Sequence, residues 1–132
     1  MSSSSISEML LIAQVQGKGV IRGKVFKHLA PVTLAKIQRE LPFSGRVNFF
    51  EHNFAYILTP VVAGEEKSKQ QFMRGSIAFM PSGSTLCLFL KDTRSYKPMN
   101  LLGQIDEGLE IIDKMTRGDT LRIESISAIS TA

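Results

Sequence analysis

A chain of 132 residues, 43% of them hydrophobic, fits one domain that buries its own core and needs neither a disulfide nor a structural metal. The formal net charge of +4 is modest, and the single cysteine, Cys87, excludes an intramolecular disulfide and favours a reduced, cytoplasmic setting. No apolar run approaches the roughly 20 residues that a membrane helix requires, so no membrane association is predicted.

The first seven residues, Met-Ser-Ser-Ser-Ser-Ile-Ser, lack the basic and long apolar regions of a signal peptide. We interpret residues 1–7 as a disordered or cloning-derived tail. Residues 8–132 are predicted to form a single domain. Within it, apolar residues alternate with their neighbours from Glu8 to Gln16, and Gly17-Lys18-Gly19 provides a turn before Val20 to Phe26. This pattern predicts a β-hairpin.

Basic residues are concentrated between positions 18 and 46, where seven occur against one acid, Glu40: Lys18, Arg22, Lys24, Lys27, Lys36, Arg39 and Arg46. Such a segment can attract polyanions. Only Phe26 and Phe43 are interleaved with these charges, however, whereas nucleic-acid sites combine charge with stacking residues. Solvated strand edges and a solvated helix face are therefore the favoured interpretation, and a nucleic-acid partner is not predicted.

Residues 28–43 predict the first helix. Pro31 fits its first turn, where a missing N–H is tolerated, and Pro42 ends it. Leu34, Ile37 and Leu41 recur at helical spacing and predict one buried face.

The middle of the chain predicts mostly strands. The aromatic-rich run from Arg46 to Thr59 predicts one long strand, bent or bulged near residues 51–53. Polar residues 64–71 predict an exposed loop. Two further strands, Ser76 to Met80 and Thr85 to Lys91, flank a turn with Pro and Gly, and apolar residues on both faces of the second strand predict a core position.

The stretch from Met99 to Ile126 has the clearest secondary-structure pattern in the sequence. Residues 92–98 predict a polar loop, followed by a short strand and a helix capped by Asp106 and ended by Gly118. The apolar face of this helix consists of Leu109, Ile112 and Met115. Alternation from Thr120 onward predicts the closing strand. Seven to eight short strands with only two helices favour a closed barrel whose ends the helices cover, rather than a parallel βαβ sheet.

Two segments resemble the cyclophilin fold. The first, L-L-G-Q-I-D-E-G-L-E-I-I-D-K-M at 101–115, matches in Gly103, Glu107, Gly108, Leu109 and Met115. The second, G-S-I-A-F-M-P-S-G-S-T-L-C-L-F-L-K-D-T at 75–93, narrows the resemblance to the small stand-alone prokaryotic cyclophilin-like proteins of unassigned function. The resemblance is specific over residues 75–126 and topological over residues 8–60. It implies a mainly β fold, a closed eight-stranded barrel with two capping α-helices.

The resemblance also implies a reaction, prolyl cis/trans isomerisation, which an arginine assists by donating towards the prolyl nitrogen. The family signature F-H-R-x-x-x-x-F-M-x-Q-G-G corresponds here to N-F-F-E-H-N-F-A-Y-I-L-T-P. With Phe54 on the second Phe of the motif, the arginine position falls on Phe49. Met99 stands where cyclophilins carry the pocket histidine. We therefore predict a domain that lacks conventional isomerase activity; the alternative is a prolyl isomerase with a substituted site, in which Arg46 is the candidate catalytic residue.

A binding groove is the remaining functional prediction. The resemblance places five apolar residues on the strands that line the cyclophilin pocket: Phe54, Tyr56, Phe79, Phe89 and Met99. An apolar shelf of this kind suits a peptide segment or a small ligand. His28 and His52 do not lie at ligand spacing from each other or from Cys87, so neither a metal nor a cofactor is predicted.

Overall fold

The computed structural model describes residues 8–126, which form ten strands and two helices. In chain order the elements are β1 (Glu8–Val15), β2 (Gly19–Phe26), α1 (Pro31–Glu40), β3 (Phe43–Arg46), β4 (Asn48–Phe50), β5 (Phe54–Leu58), β6 (Lys69–Phe72), β7 (Ser76–Met80), β8 (Thr85–Phe89), β9 (Thr93–Glu107), α2 (Leu109–Ile112) and β10 (Thr120–Ile126). The mainly β fold and the two helices are thus confirmed. The predicted tail, residues 1–7, lies outside the described residues.

The strands pair antiparallel in the order β3-β10-β1-β2-β9-β7-β8-β5-β4, and β6 adds to β9 beside this path. The prediction of a closed eight-stranded barrel is wrong in both count and closure. Ten strands are present, and within residues 8–126 no hydrogen-bonded ladder joins β3 to β4. The two ends of the path are instead the two halves of one segment, which the chain itself connects through Val47.

The segment divides at Val47. Its N–H donates to the Asp119 carbonyl at 2.8 Å, and its carbonyl accepts from the Gly118 N–H at 2.8 Å. Residues before Val47 pair with β10, whereas residues after it pair with β5. One short segment therefore leaves one edge of the sheet and joins the other.

Side chains alternate between two hydrophobic clusters on opposite faces of the sheet, as the pleat requires. On β8, Leu86 and Leu88 belong to the inner cluster, the main core of the domain, while Cys87 and Phe89 belong to the outer cluster. Both faces are covered, as predicted for this core strand. The outer cluster consists of Phe54, Phe72, Ala78, Met80, Cys87, Phe89 and Met99.

The first hairpin and the β7–β8 pair lie where the sequence predicts them. The first helix lies within the predicted range 28–43 but is shorter, and Phe43 begins β3 instead. One strand prediction and parts of two loop predictions are wrong. The run from Arg46 to Thr59 is not one strand, because residues 51–53 form a turn in which the Asn53 N–H donates to the Phe50 carbonyl at 3.0 Å. Residues 92–98 are not a loop, since β9 begins at Thr93 and pairs there with β6. The last residues of the loop predicted at 64–71 also form a strand, since β6 begins at Lys69.

The second helix is shorter than predicted. Asp106 does not cap it, because β9 continues to Glu107, which pairs with Arg22 of β2. Gly108, with φ of +88°, then turns the chain into α2. The helix has four residues, and Met115 is buried in the turn that follows rather than on the helix. Neither helix within residues 8–126 is long and apolar enough to cross a membrane.

Helix α1 begins at a distant carboxylate rather than at a local cap. Ala30, the residue before it, provides no side-chain cap. Glu66 takes this role by accepting hydrogen bonds from the Val32 N–H at 3.0 Å and from the Thr33 N–H and hydroxyl at 2.7 Å each. A negative charge is favourable at this end of a helix. The loop that carries Glu66 is thereby fixed to α1.

We expect Glu66→Gln to lower the free energy of unfolding by about 1 kcal/mol near neutral pH, since it removes the charge of the helix cap. Burial raises the pKa of Glu66, but the hydrogen bonds from Thr33 and Val32 outweigh burial and hold this pKa below its usual value. The stabilisation is therefore complete above about pH 5 and is lost as the pH falls through the folded-state pKa.

Urea denaturation from neutral pH to about pH 3 checks this expectation. The difference between wild type and Glu66→Gln should narrow below about pH 4. Glu65→Gln is the matched control, because an amide oxygen can still accept the hydrogen bond that the Ser68 hydroxyl donates to Glu65. A pH-independent difference would show that the charge of Glu66 contributes nothing.

Candidate functional site

The outer face of the sheet opens into an apolar groove at its β4–β5–β8 end, with a cavity volume of about 230 Å³. We call it the aromatic groove. It is lined by Phe50, Phe54, Tyr56, Leu58, Met80, Gly83, Thr85 and Tyr96. The β4–β5 hairpin, the β7–β8 turn and the first half of β9 therefore meet here.

Stacked rings form one wall of the aromatic groove. The Phe50 and Tyr96 rings lie 4.5 Å apart between centroids at an interplanar angle of 15°, and Phe50 stacks on Phe54 at 5.4 Å. Offset stacking of this kind stabilises aromatic pairs. Tyr96 is 54% exposed and Leu58 on the β5 strand is 68% exposed. Tyr96, which belongs to this wall, and Leu58 are thus both presented to solvent.

No residue that lines the aromatic groove carries a charge at neutral pH. The polar side-chain groups available there are the hydroxyls of Tyr56, Thr85 and Tyr96. Hydroxyls can donate or accept one directed hydrogen bond, but they do not hold an ion as a charged side chain does. The groove therefore suits a neutral, apolar group with few hydrogen-bonding atoms.

The five residues predicted for the groove lie in different parts of the domain. Phe54 and Tyr56 line the aromatic groove, whereas Phe89 and Met99 are fully buried in the outer cluster. Phe79 lies in the inner cluster, on the opposite face.

Strand β6 covers the part of the outer face that contains Phe89 and Met99. Phe72 stacks on Phe89 with centroids 4.7 Å apart, and Lys69 pairs with Met99 across the ladder. Both Phe89 and Met99 have an exposed fraction of 0%. The outer face is open at the end at Phe50, Tyr56 and Tyr96. Another cavity, of about 400 Å³, lies beside Phe72 and Leu101.

Arg46 is not among the residues that line the aromatic groove. It ends β3 and pairs with Thr120, and its guanidinium donates to the Gly118 carbonyl at 3.2 Å. This hydrogen bond helps to hold the turn before β10. A role for Arg46 at a bound proline would require the side chain to leave that carbonyl.

Sequence reasoning missed six of the residues that line the groove: Phe50, Leu58, Met80, Gly83, Thr85 and Tyr96. Part of the signal was present, because Phe54, Tyr56 and Leu58 alternate and so share one face of a strand. Tyr96 had no such signal, since its segment was predicted as a loop.

Other chemically reactive groups lie elsewhere. Burial raises the pKa of the Cys87 thiol to about 12, so this cysteine is not a thiolate nucleophile. Several of the basic residues from 18 to 46 are engaged within the domain: Lys18 with Asp119 at 2.8 Å, Arg22 with Glu107 at 3.4 Å, and Lys36 with the Val62 carbonyl at 3.0 Å. Across residues 8–126, no three His, Cys, Asp or Glu side chains gather where they could hold a metal ion.

A family model described as Cyclophilin-like matches residues 9–124. No curated protein matches the chain at a significant level.

Three solved structures share the fold. A hypothetical protein from Archaeoglobus fulgidus has a TM-score of 0.78 at 23% identity, with 91% of this chain and 96% of that one covered. McbB, solved in complex with tryptophan, has a TM-score of 0.68 at 13% identity; the match covers 86% of this chain but only 44% of McbB. The Mimivirus cyclophilin has a TM-score of 0.56 at 13% identity, with 95% and 91% covered. At identities this low, the TM-scores show a shared fold alone.

Proposed function

Since this chain belongs to the cyclophilin-like family, we propose that it is a non-catalytic binding domain that holds a peptide segment by one neutral apolar side chain in the aromatic groove. The observation that carries this proposal is the composition of the groove: Tyr96 and Leu58 are exposed beside the wall of stacked rings, and no lining residue is charged. Apolar pockets with a few convergent polar groups are the usual form of such sites.

The size of the groove favours a peptide side chain over a whole small molecule. Its volume of about 230 Å³ is below the roughly 300–1,000 Å³ of typical small-molecule sites. A single Phe, Leu or Pro side chain needs less room. The hydroxyls of Tyr56 and Tyr96 can bond to the backbone on either side of that residue.

The loss of conventional isomerase activity is proposed on separate grounds. Met99, at the position of the cyclophilin pocket histidine, is buried beneath β6, and Arg46 bonds to the Gly118 carbonyl. Catalysis of prolyl isomerisation must overcome a barrier of roughly 20 kcal/mol that arises from amide resonance. In the aromatic groove no lining cation is available to weaken that resonance.

Tyrosine fluorescence tests the binding proposal, because the chain has no tryptophan and both of its tyrosines, Tyr56 and Tyr96, line the groove. Capped Gly-Gly-X-Gly-Gly peptides with X as Phe, Leu, Pro or Ser are the probes. We expect the first three to bind with Kd on the order of 1 mM and the Ser peptide to bind at least about tenfold more weakly.

Variants then locate the binding. Tyr96→Ala removes an exposed ring and should weaken the Phe peptide about tenfold, as followed by amide NMR shifts. Val62→Ala is the control, because Val62 is 77% exposed and does not line the groove. Equal weakening by both variants, or equal binding of the Ser peptide, would contradict the proposal.

The alternative function, a prolyl isomerase that uses Arg46, is tested with the Pro peptide in the same series. Exchange NMR measures the rate of cis/trans interconversion with and without protein. Acceleration that is lost in Arg46→Ala and kept in Arg39→Ala, an exposed arginine of α1, would establish the enzyme and overturn the non-catalytic proposal. We expect no acceleration by any of the three proteins.

A further inference from the structure

A second cavity lies beside α2 and shares no lining residue with the aromatic groove. We propose that this cavity, the α2 cleft, binds a small carboxylate with an apolar body. Its volume is about 670 Å³, within the roughly 300–1,000 Å³ of sites that hold small molecules. The β4–β5 turn, the end of β8 and the turn after α2 form its walls. This inference does not depend on the peptide-binding proposal.

The floor of the α2 cleft is apolar. It consists of Phe49, Leu90, Ile112 and Met115. Ile112 and Met115 belong to the inner cluster, while Phe49 and Leu90 are half-buried and pack against it. The core of the domain thus reaches solvent at this point, and an apolar ligand body can cover it.

Two cations on the rim are available to a ligand. Lys91 and Arg117 are exposed, line the cleft, and make no side-chain hydrogen bond or ion pair with another residue in the range 8–126. Charge-assisted hydrogen bonds from such groups to a carboxylate are stronger than neutral ones, and the arginine fork can bind both oxygens.

The cleft has more positive than negative charge available to a ligand, because one of its two carboxylates is already paired. Asp113 forms a two-point pair with Arg74, at 3.0 Å from Nη1 and 2.8 Å from Nη2, so its charge is already compensated. Glu51 accepts a hydrogen bond from the Asn53 amide at 3.3 Å, and it is the one carboxylate of the lining without an ion pair among the described residues. His52 also lines the rim.

The apolar floor and the cationic rim together favour a ligand with an apolar body and a negative charge. Inorganic phosphate would satisfy the cations but would leave the apolar floor exposed. A neutral aromatic molecule would cover the floor but would make no charged contact with Lys91 or Arg117. An aromatic or branched aliphatic carboxylate satisfies both, because burial of its body and its charge contribute together.

Benzoate is the probe, with benzamide as its neutral analogue and inorganic phosphate as the anion without an apolar body. Titration of ¹⁵N-labelled protein should shift the backbone amides of residues 90–91 and 112–117. We expect benzoate to bind with Kd on the order of 1 mM, and each of the other two at least about tenfold more weakly.

Paired variants separate a specific site from a general charge effect. The double variant Lys91→Ala, Arg117→Ala should weaken benzoate at least about tenfold. The double variant Arg94→Ala, Lys97→Ala removes the same charge from exposed positions of β9 outside the cleft and should leave benzoate binding unchanged. Equal binding of benzamide, equal loss in both double variants, or no shift up to about 20 mM benzoate would each overturn the proposal.

Discussion

Gly103→Ala is expected to reduce the free energy of unfolding by about 3 kcal/mol or more, the largest effect that we expect of a single methyl group in this domain. Gly103 lies on β9 opposite Val25 of β2 and Ile77 of β7. A Cβ atom there would overlap sterically with the Lys24 carbonyl oxygen and lie 2.7 Å from the Val25 Cα. Both neighbours are backbone atoms, so the strands must separate to admit the methyl group.

Guanidinium denaturation followed by circular dichroism measures this effect. Gly64→Ala is the matched control, because a Cβ at Gly64 meets nothing within 4 Å. A Gly103→Ala protein that yields no folded material while Gly64→Ala folds normally is the extreme form of the expected result. Equal stability of the two variants would show that β2 and β9 can move apart without loss of packing.

Asn100→Ala is expected to cost about 3 kcal/mol. The Asn100 side chain is completely buried and joins three parts of the domain. Its amide nitrogen donates to the Thr33 hydroxyl at 3.0 Å and to the Gly64 carbonyl at 2.9 Å, and its oxygen accepts from the Glu66 N–H at 2.8 Å. Removal of the amide leaves the Gly64 carbonyl and the Glu66 N–H without their partner.

Thermal unfolding should show the loss as a fall in Tm on the order of 10 °C. Asn53→Ala provides the comparison, since the amide of Asn53 makes a hydrogen bond to Glu51 on the surface. That control should cost less than about 1 kcal/mol. If Asn100→Ala lowers the free energy of unfolding no more than Asn53→Ala does, then water or a backbone shift compensates fully for the three lost hydrogen bonds.

The elements best predicted from the sequence are those whose pattern is local. The first hairpin, α1 and the β7–β8 pair each have an apolar period and a turn or proline at their ends, and these signals act over a few residues. The β4–β5 turn was predicted only as a bend or bulge near residues 51–53, and the polar half of β9 has no such signal. Their conformation depends on pairing partners, β8 for β5 and β6 for β9, that lie far away in sequence.

The same reason explains the partial prediction of the aromatic groove. Phe54 and Tyr56 were recognised because they fall on a strand that the family resemblance covers. Leu58 shares their alternation, but nothing local distinguishes a groove residue from a core residue. Residues 93–99 form a strand that pairs with β6, and Tyr96 of this strand stacks on Phe50 in the groove. No pattern in the local sequence predicts this pairing.

The pairing of β1 with β10 has a consequence for how the chain folds. These strands come from opposite ends of the described sequence, yet they lie side by side within the sheet, with Leu10 opposite Ile126 and Val15 opposite Leu121. Such pairings have a large sequence separation and slow folding. During synthesis, β1 cannot pair with β10 until the residues up to Ile126 have left the ribosome. The side of β1 that later pairs with β10 is an exposed strand edge in that interval, and such edges are prone to pair with other chains.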